Sequence, residues 1–98
     1  MSQLTANYEE GLHAALTDPA EAAAYLNAAL AEDDQEIFLL ALRDIATARG
    51  LTHLAEESQL NRENLYRMLS PSGNPQLASL NALLHSMGLR LAVEVDAG

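Results

Sequence analysis

Leu51-Thr-His-Leu-Ala-Glu-Glu-Ser-Gln-Leu-Asn-Arg-Glu-Asn-Leu-Tyr-Arg-Met-Leu69 reads as two short helices joined by a tight turn. Thr52 can cap the first helix, and Leu54 and Ala55 face inward, the small Ala55 letting the second helix cross close by. Asn61 is placed to cap that second helix with its side-chain oxygen. Leu60 before the cap and Leu65 beyond it have the spacing of a hydrophobic staple, which sets the angle at which the chain enters the helix. Leu65 and Leu69 continue the buried side. Arg62, Glu63, Asn64, Tyr66 and Arg67 are left outside, a donor-rich set suited to base edges and phosphates in a major groove.

That layout is a helix-turn-helix, and it predicts a DNA reader over residues 51–70 whose contacts come from Thr52, Asn61, Arg62, Glu63, Asn64, Tyr66 and Arg67. The alternative is an ordinary helical hairpin on which Glu63 and Arg67 form an i,i+4 surface pair.

Working outward, the punctuation predicts five helices and one strand. In Asp18-Pro-Ala-Glu21, Asp18 caps, Pro19 takes the first helical position and Glu21 completes a pair resembling a capping box, opening a helix that runs to about Ala31. Asp33-Asp-Gln-Glu36 repeats the signal. The helix it opens carries Ile37, Phe38, Leu40, Ala41, Leu42, Ile45 and Ala46, a stripe broad enough for the centre of the core, and Gly50 ends it. Arg49 reads as a charge favoured by the C-terminal end of that helix. After the turn Ser70-Pro-Ser-Gly-Asn-Pro75, Asn74 and Pro75 start a fifth helix bearing Leu77, Leu80, Leu83, Leu84 and Met87, and Gly88 stops it.

Residues 89–95 then alternate apolar and mostly polar side chains, the period of a half-buried strand. A lone strand exposes an unpaired row of backbone donors and acceptors, so it predicts a partner, most simply a second copy of the chain. Leu89, Leu91, Val93 and Val95 are the expected dimer residues. Two-fold pairing would set two recognition helices about 34 Å apart on DNA. The alternative is that the segment packs on its own core.

At 98 residues and 49% apolar composition, the chain suits one domain, expected over residues 18–98 behind a flexible N-terminal segment, 1–17. With no cysteine there is no disulfide framework or thiolate metal site. No apolar run approaches a membrane span and the start lacks a signal peptide's basic and apolar regions, so a cytoplasmic location away from membranes is expected. The net charge of −9 is unevenly spread. Residues 1–42 hold Glu9, Glu10, Asp18, Glu21, Glu32, Asp33, Asp34 and Glu36 with no Lys or Arg. Residues 43–70 are balanced, so the reader is the least acidic region.

An enzyme is not indicated. His13, His53 and His85 fall in separate elements without metal-ligand spacing, so neither a metal nor another cofactor is expected. The Ser70 to Gly73 turn lacks the glycine-and-lysine pattern of a phosphate loop. Glu9 with Glu10, and Asp33 with Asp34, are neighbours whose side chains diverge, whereas acid-base catalysis needs convergent carboxylates.

Tyr25-Leu-Asn-Ala-Ala-Leu30, Phe38-Leu-Leu-Ala-Leu-Arg-Asp-Ile-Ala-Thr-Ala-Arg-Gly50, Leu54-Ala55, Arg62-Glu63, Leu65-Tyr66, Leu69-Ser70, Gly73-Asn-Pro75 and Gly88-Leu-Arg-Leu91 carry, in this order and spacing, a family resemblance. The stretch from Asp18 to Val95 resembles the addiction-module antidote (antitoxin) proteins with a phage-repressor type of helix-turn-helix. The resemblance implies a protein that silences a small basic toxin, typically a ribonuclease, and represses its own operon by binding operator DNA; the lone strand adds the expectation of a homodimer. The acidic first 42 residues fit that partner independently, since an anionic surface steers and holds a cationic protein. Tyr8, Asp18, Glu21 and Tyr25 are the candidate toxin contacts. A stand-alone repressor without a toxin is the alternative reading. One departure is Gln59, where the turn of such readers usually carries Gly, so Gln59 must be left-handed or the turn must differ.

Overall fold

Capping side chains start three of the helices in the computed structural model, which describes residues 11–12 and 14–98. Helical residues 14–16 lead through a turn to α1 (Pro19–Ala31). Asp18 caps α1 by accepting from the Ala20 N–H at 3.2 Å, and Pro19 stands at the first position, where a missing N–H costs nothing. The pair with Glu21 does not form. The Asp18 N–H donates to the Ala15 carbonyl at 3.0 Å, leaving no donor for the Glu21 carboxylate.

Three residues reverse the chain into α2 (Gln35–Arg49). Asp33 adopts a left-handed φ of 55°, a conformation Asp tolerates, and Asp34 then caps α2 through the Glu36 N–H at 2.9 Å. α2 ends at Gly50, whose N–H reaches the Ala46 and Thr47 carbonyls at 2.9 and 3.2 Å. The Gly50 carbonyl meanwhile accepts from Leu54, so the same residue opens α3 (Leu51–Ser58). Thr52 is therefore not a cap: it lies inside the first turn, and α3 has no side-chain cap.

Gln59 supplies the left-handed link (φ 63°, ψ 18°) to α4 (Arg62–Met68). Asn61 caps α4, its Oδ1 accepting from the Asn64 N–H at 2.7 Å. Gly73 closes the following loop, buried against the end of α4, where its carbonyl accepts from Gln35 Nε2 at 3.0 Å. α5 (Leu77–Ser86) starts after Gln76 rather than at Asn74 and Pro75. It ends in a Schellman arrangement: left-handed Gly88 donates to the His85 carbonyl and Leu89 to the Leu84 carbonyl, at 3.0 and 2.8 Å.

The core joins all five helices, with α3 packed on α2, α4 and α5, and α1 packed on α2. Leu42, Ile45, Ala46, Leu54, Leu83 and Met87 are fully buried, and the core extends upstream of Asp18 to Leu16. Arg49 does more than oppose a helix dipole. Its Nη2 donates to the carbonyls of Thr17 at 2.8 Å and Met87 at 3.1 Å, clasping the chain before α1 to the end of α5, while its buried Nε is unpartnered.

The fold is mainly helical, and further expectations change. Among the described residues there is no strand: 89–98 form no regular structure, because a strand needs a ladder partner and the described residues hold no second one. Leu89 instead packs on its own core through the Schellman turn, and Val93 and Val95 are 99% and 94% exposed. Within α2, Leu39 is buried while Ile37 and Leu40 face outward. Leu77 of α5 is exposed as well.

Candidate nucleic-acid interface

α4 presents its polar side to solvent because Leu65 and Met68 hold the opposite side in the core. Arg62, Glu63, Asn64, Tyr66 and Arg67 are all exposed, as are Asn61 and Thr52 at the flanks. The seven sequence-predicted residues therefore share solvent access on α3, the turn and α4. Three of them are already engaged. Arg62 Nη2 donates to Tyr66 Oη at 3.1 Å and its guanidinium carbon lies 5.8 Å from the Tyr66 ring centroid, a cation–π approach that holds the arginine along the helix. Asn61 keeps only its amide donors for a ligand, its oxygen serving the cap.

Asn64 and Arg67 also line a polar cleft of about 480 Å³ with Ser72, Asn74, Gln76 and Ser79. These four were not singled out in the sequence, where residues 70–75 read only as a turn. Their density of hydroxyl and amide groups beside a helix rich in donors was the available signal. Such a cleft offers hydrogen bonds to phosphate and sugar oxygens, which orient a protein on a duplex without reading its sequence.

Of the candidate partner-binding residues, Asp18, Glu21 and Tyr25 follow one side of α1 at i, i+3 and i+7 spacing. Asp18 and Glu21 are exposed at the start of α1. Tyr25 is half-buried, and its hydroxyl donates to Asp44 Oδ2 at 2.7 Å, tying α1 to α2. Tyr8 lies outside the described residues, as does His13. His53 pairs with Glu57 at 3.6 Å within α3, an exposed contact of little energetic weight. Among the described residues no three His, Asp or Glu converge, and no helix is long and apolar enough to cross a membrane.

Comparison with known proteins bears on the same region. A family model described as "probable addiction module antidote protein" matches residues 9–95. An uncharacterized protein of Haemophilus influenzae is 39% identical over 79 residues, covering 81% of each chain. No solved structure matches the chain.

Proposed function

Because the chain belongs to the family of probable addiction module antidote proteins, we propose that it is an antitoxin that neutralises a small basic toxin, a ribonuclease, by direct binding and represses its own operon. The observation that carries the DNA half is the solvent-facing side of α4, with Asn61 fixing the helix start and Arg62, Asn64 and Arg67 outward. In this reading α3, the Gln59 turn and α4 form a helix-turn-helix. α4 enters the major groove, and Ser72, Asn74 and Gln76 meet the adjoining backbone. Residues 89–95, unpaired in the single chain, pair with those of a second copy to give the two-fold reader that a symmetric operator requires.

Charge links the two activities. The eight acidic residues of 1–42 raise the negative potential near an approaching phosphate backbone, within a Debye length of about 8–10 Å. A cationic toxin bound to that half cancels the repulsion and adds phosphate contacts. The test is purification with the protein encoded by the neighbouring reading frame, followed by a salt titration of operator affinity with and without it. A complex that binds operator more tightly and with a steeper salt slope is expected. Operator binding without any complex would make the chain a stand-alone repressor, and absence of both would end the reading.

A further inference from the structure

The outer face of α2 carries apolar side chains that the fold does not use. Leu39, Ala41, Leu42, Ile45 and Ala46 already bury the inner side of this helix, yet Ile37 and Leu40, one turn apart on the other side, are 39% and 58% exposed. They floor a groove of about 290 Å³ whose far wall is Leu69 and Pro71, directly after α4. Asp34 and Glu36 stand at one end and Arg43 at the other. Across Asp34 lies a second cleft, of about 390 Å³, where Leu30 is 55% exposed beside Phe38. Two neighbouring clefts with exposed apolar side chains, meeting at Asp34 and rimmed by charge, have the anatomy of a protein-binding patch.

The rim selects the occupant. Glu32, Asp33, Asp34 and Glu36 crowd the turn between α1 and α2, and among the described residues none of them makes an ion pair. A second copy offering its exposed Val93 and Val95 would bring Glu94 and Asp96 against this rim, like charge on like. We propose that the groove between α2 and the chain following α4 is the toxin-docking surface, receiving an apolar side chain flanked by Lys or Arg from the cationic partner. This rests on the antitoxin reading above and moves the contact away from Asp18, Glu21 and Tyr25. It also gives the charge linkage a geometry, because a partner seated against Leu69 and Pro71 lies beside the end of the DNA-facing helix.

Two variants test it, each titrated calorimetrically with the purified toxin encoded beside this chain. Leu40→Asp places a charge on the apolar floor and is expected to weaken binding about tenfold or more, as loss of a central apolar contact does. Asp34→Asn with Glu36→Gln removes two rim charges while Asn retains the helix cap, so binding weakens and loses much of its salt dependence. Thermal midpoints stay at the parent value because the substituted positions are exposed. Parent and variants binding the toxin equally well would overturn the surface while leaving the antitoxin reading intact. A Leu40→Asp chain that sediments as monomer where the parent is a dimer would overturn it too, assigning the groove to a second copy. A parent that binds no toxin removes the antitoxin reading itself, and the inference with it.

Discussion

Gly73 stands where no side chain fits. A Cβ there would run into the Met68 carbonyl oxygen and crowd that of Arg67, so Gly73→Ala has to lever the loop away from α4. Overpacking of this kind costs about 1–3 kcal/mol, and the urea midpoint of the variant should fall accordingly. A midpoint equal to the parent's would mean the loop yields freely. Arg62 poses the opposite case, an exposed residue whose loss leaves folding alone. Resting on Tyr66, it is restrained before any ligand arrives, and Arg62→Ala is expected to lose about 1–3 kcal/mol of specific operator binding with an unchanged melting temperature. Unaltered operator affinity would remove Arg62 from the reading surface.

At the scale of elements, the left-handed Gln59 is a strain the helix pair tolerates, since an L residue with φ of 63° costs about 1–2 kcal/mol relative to its right-handed form. Gln59→Gly relieves it and should raise the unfolding free energy read from urea titration by about 1 kcal/mol, reduced by the greater freedom glycine gains when unfolded. A variant less stable than the parent would show that the Gln59 side chain contributes a compensating contact. The sequence left the turn open between a left-handed Gln59 and a different geometry, since helix-turn-helix readers usually carry Gly there, and the φ of 63° decides for the first. Thr52 was misread for a related reason. Residue preference favours a Thr cap, but Gly50 already serves both helices and leaves that position inside the turn. Ile37 and Leu40 were misplaced because α2 is apolar on several sides. Periodicity alone cannot tell which side the other helices cover. The segment 89–95 shows the same limit in another form: its alternation describes how the residues would sit beside a partner strand and says nothing of whether one is present. The exposed side of α4, proposed to read DNA, was legible as a solvent-facing set, while the cleft that Ser72, Asn74, Gln76 and Ser79 line beside it takes shape only through the fold.

For the whole molecule, the proposed dimer makes the C-terminal segment the joint. Val93→Pro deletes one backbone donor from the expected ladder, and in sedimentation the variant should shift toward monomer with operator affinity falling in parallel. Persistence of a full dimer would place the interface elsewhere. Gly50 has a different consequence. Because one residue closes α2 and opens α3, no slack separates the two, and in the proposed reading α2 is a lever keyed to the DNA-binding pair. A load applied at Ile37 and Leu40 would be transmitted to the pitch of α4 on DNA rather than absorbed in a hinge. Inserting one glycine after Gly50 would turn α3 by about 100° relative to α2, if the helix simply continued, or open a swivel between them. Operator affinity should then collapse, and toxin affinity with it, because the groove's two walls, α2 on one side and Leu69 with Pro71 on the other, lie on opposite sides of the insertion; operator binding that persists at full strength would show that the joint carries no torque.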